Sequence, residues 1–245
     1  MKTKKTGKTM RVAGLLLALV LVTSCFVGGT FAKYVTYGGG QEHARVAKFG
    51  VKVEAAGDVF ATEYDAKDPK VQDYNGQVIA KSVISSDGKT KLVAPGTAKN
   101  DALTVSVTGT PEVAVEVKYE AHVTLNDAIL TDHNWKLADD SYYCPLVITV
   151  NGTKYNGLDY ASATEFEDAV EGAINSLTKN YPANTDLSKS DSKGVAISWE
   201  WPFEGATGNV SNQSDENDTY LGDQAAAGKA ATVGIVVATT VTQID

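Results

Sequence analysis

The sequence predicts a mainly β protein, with antiparallel strands around one core, one amphipathic helix and long loops, preceded by an export segment. Three observations predict it. Apolar and polar residues alternate over long stretches, most regularly at residues 113–125; a period of two marks a strand with one buried face. Asn151-Gly152 separates two such stretches and supplies the positive φ angles of a type I′ hairpin turn. One segment, 162–177, spaces its apolar residues by three and four, as a helix lying on a sheet requires.

The chain opens with a basic stretch, residues 2–11, and an apolar run, residues 12–27, broken only by Gly14, Thr23 and Ser24. The run is short for a membrane span and leads into Gly28-Gly29-Thr30-Phe31-Ala32, so it reads as a signal peptide. Thr30 and Ala32 are the small residues a signal peptidase takes at the third and first positions before its cut, which makes Lys33 the new first residue. Val22-Thr23-Ser24-Cys25 offers a rival, a lipoprotein box in which a lipidated Cys25 would hold the protein on the outer face of a membrane. Phe26, Val27 and Phe31 argue against it, because they prolong the apolar segment where a lipoprotein has a polar tether.

Lys33, Tyr34, Val35, Thr36 and Tyr37 alternate as a short strand would, and Gly38, Gly39 and Gly40 follow as a hinge. The expected organisation is therefore a signal peptide at 1–32, a mobile N-terminal arm at 33–43 and a single β-sandwich domain at 44–245. In the domain, Ala47, Phe49, Val51 and Val53 share one face of a first strand with a buried side. Residues 57–76 read as loops and residues 77–84 as a strand. Pro95-Gly96 marks a tight turn. Leu103, Val105 and Val107 then form a strand, Gly109-Thr110-Pro111 turns the chain, and residues 113–125 return as its hairpin partner. Residues 146–150 and 153–155 make the Asn-Gly hairpin.

The helix follows, capped by Ser162 or Thr164, with Phe166, Ala169, Val170, Ala173, Ile174 and Leu177 as its apolar stripe and Pro182 as its stop. Val195, Ile197, Trp199, Trp201 and Phe203 belong to a bulky central strand. Residues 204–224 read as an acidic loop, and Val233, Ile235, Val237, Thr239 and Val241 line one face of the last strand.

The net charge is −8, and the five bases of residues 1–32 make the remainder more acidic still. Such a surface repels nucleic acid and anionic membranes, so a membrane enters only before processing. Of two cysteines, Cys25 and Cys144, cleavage leaves one, so no disulfide closes within the chain. Little chemistry is visible. His43, His122 and His133 form no His-Glu-x-x-His and no helical pair, which speaks against a catalytic zinc. Cys144 and His133 are separated by Trp135, Tyr142 and Tyr143 and read as a core edge rather than a nucleophile and base. Asp215, Glu216 and Asp218 are the one cluster suited to a weak calcium site, without the spacing of an EF-hand. No other cofactor is expected, and no enzymatic role.

Gly28-Gly29-Thr30-Phe31-Ala32-Lys33-Tyr34, followed by Ala44-Arg45-Val46-Ala47-Lys48-Phe49-Gly50-Val51, resembles the leader and first strand of proteins cut by the SipW-type signal peptidase, the TasA/camelysin family of Gram-positive bacteria. The order Ala94-Pro95-Gly96, a strand, then Gly109-Thr110-Pro111-Glu112-Val113 is similar to that family's central part. The Trp199-Glu200-Trp201-Pro202-Phe203 strand, Asp218-Thr219-Tyr220-Leu221-Gly222 and the ending Thr240-Val241-Thr242-Gln243-Ile244-Asp245 look like members with this leader. The resemblance implies a jelly-roll-like fold and a secreted biofilm-matrix fibre subunit. In such a fibre the N-terminal strand, here residues 33–37, is donated to the next copy. Its implied partners are the signal peptidase, copies of itself and accessory matrix proteins. Two alternatives stay open: a surface-binding module, secreted or anchored at Cys25, whose 126–143 and 204–224 loops would carry Trp135, Tyr142 and Tyr143, and a metallopeptidase, which the histidines disfavour.

Overall fold

The computed structural model describes residues 45–68, 70–126, 132, 134–189, 194–203 and 214–244. The elements below belong to the compact unit Ala47–Asp245. It is mainly β, with every pairing antiparallel. A five-stranded sheet runs in the order β1 (Val51–Ala56), β4 (Ala98–Gly109), β9 (Val195–Glu200), β6 (Val147–Val150), β7 (Thr153–Asn156). A three-stranded sheet runs β10 (Gly234–Gln243), β5 (Val115–Thr124), β8 (Lys179–Tyr181). β2 (Glu63–Asp65) and β3 (Lys81–Ile84) form a separate ribbon. Two α-helices are described, α1 (Ala163–Asn175) and α2 (Asp215–Ala226).

Both sheets feed one core. Val105, Val107, Ile148, Ile197 and Trp199 come from the first, Val115, Val117, Tyr119 and Val123 from the second, and Phe166, Val170 and Ile174 from α1. β9 is central, as its bulky side chains suggest, and its Trp199 Nε1–H donates to the Val59 carbonyl at 2.6 Å. The Asn-Gly hairpin forms as expected, with φ of 47° at Asn151 and 87° at Gly152.

The strand pairing corrects the other hairpin. β4 pairs with β1 and β9, and β5 pairs with β10 and β8, so the 109–111 turn is a crossover between sheets. Alternation fixes which face of a strand is buried; it does not choose the neighbour. Gly109 permits the crossover, since at its φ of 123° a Cβ would lie 2.2 Å from the Gly50 carbonyl oxygen.

The first strand is also corrected. Regular pairing starts at Val51, and Phe49 and Val53 are each 42% exposed, because β1 lies at the sheet's edge. β2 lies within a stretch read as loop, with Tyr64 buried edge-on against Trp199. Helix α1 ends at Asn175, before β8 and well short of Pro182. Phe203 is 55% exposed, outside the core strand it was assigned to.

Candidate functional site

In a β-sandwich the exposed chemistry lies where sheets end, because an edge strand presents unpaired N–H and C=O groups. One edge is closed by helix α1. Ser162 caps it, its Oγ accepting from the Glu165 N–H at 3.2 Å. Phe166, Val170 and Ile174 recur every four residues and enter the core. One row over, at the same interval, stand Glu167, Glu171 and Asn175. The Leu125 N–H donates to Glu167 Oε1 at 2.7 Å, Val123 to Glu171 Oε1 at 2.7 Å and Ala121 to Asn175 Oδ1 at 2.8 Å. Tyr119 N–H donates to Thr178 Oγ1 at 3.1 Å, and β8 pairs with Val115–Val117. The side chains of α1 thus do for β5 what a neighbouring strand would do. The same helix packs against β6 and β7 of the other sheet.

The terminal strands at the other ends of the two sheets are β10 and β1. β5 turns the N–H groups of its odd residues to the helix and β8, so its even residues bond to β10. The register pairs Thr124 with Gly234, His122 with Val236, Glu120 with Ala238, Lys118 with Thr240 and Glu116 with Thr242. The backbone groups of Ile235, Val237, Thr239, Val241 and Gln243 therefore point away from β5. Among the described residues none supplies them with a partner. β10 is ten residues long, keeps an unbroken register and carries neither charge nor proline. Edges are ordinarily blunted by such charges, prolines, bulges or covering elements. β1 is shorter and carries Lys52 and Glu54.

The residues singled out in the leader and arm, Cys25, Thr30, Ala32, Lys33, Tyr34, Val35, Thr36, Tyr37, Gly38, Gly39 and Gly40, lie outside the described residues, as do His43 and His133. The acidic segment is corrected from loop to helix over its second half. Ser214 caps α2, and Asp215, Glu216 and Asp218 fall in its first turn, where acids offset the positive end of the helix dipole. They do not converge. Asp215 and Glu216 are exposed, whereas Asp218 is buried, Oδ1 accepting from the Tyr143 hydroxyl at 2.7 Å and Oδ2 from Trp201 Nε1–H at 3.2 Å. Among the described residues no group of three or more His, Cys, Asp or Glu is placed to hold a metal ion.

The aromatic binding surface is likewise corrected: Trp135 is 1% and Tyr143 3% exposed, so both belong to the core. Cys144 is buried, and burial pushes its thiol up to about 12, which leaves it protonated and unreactive at neutral pH. His122 lies on the solvent side of β5, its Nδ1 3.2 Å from Glu171 Oε1. Among the described residues no helix is long and apolar enough to cross a membrane.

The edge-covering row was missed in the sequence, although Glu167, Glu171 and Asn175 repeat every four residues beside the apolar stripe. Helix α2 was missed despite Ser214 standing before a run of acids, a recognised N-terminal signal. No family model, curated protein or solved structure matches the chain.

Proposed function

We propose that this chain is a secreted structural subunit of an extracellular, biofilm-matrix type fibre, assembled by β-strand addition between copies. The observation that carries the reading is the contrast between edges: β5 is covered residue by residue, while β10 offers ten residues without cover, charge or proline. A protein that guards one edge and leaves an equally long one bare has a use for the bare one, since unguarded edges otherwise cause aggregation. The TasA/camelysin resemblance of the leader and first strand supplies the class, and residues 33–37 supply the strand.

In this reading export precedes cleavage after Ala32, cleavage releases the arm from the membrane, and the arm adds to a sister molecule. Contact is head to tail, so it propagates instead of closing. Five ladder hydrogen bonds contribute about 1 kcal/mol each. Burial of Val35 and one tyrosine or two adds roughly 1.5–3 kcal/mol each. Ordering the arm costs about 1–2 kcal/mol per residue. The terms nearly cancel, so assembly depends on fit and concentration.

Sequencing the N-terminus of the exported protein tests the first step. Lys33 is expected, and a modified Cys25 would favour the anchored module. Chains beginning at Lys33 and at Gln41 are then compared by sedimentation and electron microscopy. Fibres from the first alone are expected; identical behaviour of both would remove the arm from the mechanism.

A further inference from the structure

We infer that the acceptor for the arm is the outer edge of β10, and that the arm lies on it antiparallel; this rests on the fibre reading above. Three observations select β10. Its five outward residues, Ile235, Val237, Thr239, Val241 and Gln243, span more than the five residues of the arm need, whereas β7 and β8 offer only four and three residues and carry Lys154 and Lys179. The edge is neutral throughout, while β1 places Lys52 and Glu54 along its six residues. Midway along β10, Thr239 Oγ1 is buried without a hydrogen-bond partner among the described residues, as is the hydroxyl of Tyr119 opposite it. Buried hydroxyls are normally satisfied. A strand laid beside Thr239 at the usual spacing of about 4.8 Å, with Val35 on the buried side, brings the hydroxyl of Tyr37 to that side of the sheet and turns Tyr34 to the face of Thr240.

Polarity follows from ladder geometry. An antiparallel arm continues the antiparallel pairing of β10 with β5, and an antiparallel ladder is slightly more stable per residue than a parallel one.

The test uses the full chain, exported and processed. Thr239→Pro removes an N–H that points away from β5, so the ladder to β5 keeps its bonds. The pair Ala238→Lys and Thr240→Lys places charges on exposed positions of the same edge and decides the matter should the proline variant not fold. Each is expected to raise the concentration at which fibres appear by at least about tenfold, through lost ladder bonds and blocked approach. A mixture of Tyr34→Cys and Thr240→Cys molecules is expected to give an intermolecular disulfide. Fibres that need residues 33–40 yet are unchanged by the β10 variants would overturn the acceptor assignment and leave the fibre reading standing. Thr240→Cys chains lacking the arm that link to each other through that position would show β10 pairing with itself and overturn it too. Fibres that persist without residues 33–40 would remove the arm from the mechanism and overturn the assignment with it, whereas processed full-length chains that form no fibres at all would defeat the fibre reading.

Discussion

Replacing Glu167 and Glu171 together by alanine isolates the contribution of the helix as a substitute strand. Each carboxylate takes one backbone N–H of β5 at 2.7 Å. The donors belong to Leu125 and Val123, 0% and 2% exposed, so water has poor access once the carboxylates are gone. An N–H to a charged acceptor contributes about 1.5–3 kcal/mol, with the upper end applying when the donor is left buried and unpaired. Glu171 keeps 24% of its side chain exposed, which discounts its share. The pair is then worth about 2–5 kcal/mol. Alanine is the better helix former by a few tenths of a kcal/mol, so the local effect on α1 has the opposite sign. At about 2–4 °C per kcal/mol for a domain of this size, the double variant should melt roughly 5–15 °C lower by circular dichroism. Glutamine at both positions keeps an acceptor and should recover most of the loss. A double-alanine protein that melts within about 1 °C of the parent would refute the claim that these side chains hold the edge.

Asp218→Ala removes the acceptor shared by the Tyr143 hydroxyl and the Trp201 indole, and should cost about 2–4 kcal/mol in urea denaturation with little change when calcium is added. Gly109→Ala puts a Cβ 2.2 Å from the Gly50 carbonyl oxygen at a φ of 123°, and should destabilise by at least about 1–3 kcal/mol and loosen β1, read as faster amide exchange at Val51–Ala56. Asp87 is held well below the usual carboxylate range by the Thr90 hydroxyl and N–H, the Lys89 N–H and the Ser85 hydroxyl. A depressed carboxylate stabilises above its unfolded value near about 4 and loses that contribution as pH falls further. Asp87→Asn should therefore be less stable than the parent at pH 7, and the gap should close in strong acid; a constant gap would exclude the linkage.

Much of the fold could be read in the chain. Asn151-Gly152 fixed its hairpin because a type I′ turn is a local matter of two φ angles. The stripe from Phe166 to Ile174 fixed a helix, and Ser162 its start, because capping and periodicity act within a few residues. The bulk of Val195, Ile197 and Trp199 announced a central strand. The partner of each strand was not legible. Residues 113–125 alternate equally well whether they fold back on β4 or cross to the other sheet, and only the three-dimensional contest among neighbours sends them to β10. Val53 and Phe49 look like core residues until the sheet order puts β1 at an edge, whereas Trp135 and Tyr143, which read as a core edge, do lie in the core, against the alternative that sets them on binding loops.

The candidate surface divides the same way. Local sequence suggests the proposed arm, cleavage site and glycine hinge and shows a last strand without charge, since those depend on residue types in short order. Which edge would be covered and which left bare was decided by tertiary structure alone. It depends on α1 coming to rest with Glu167, Glu171 and Asn175 along β5, a contact between segments more than forty residues apart that no local pattern encodes.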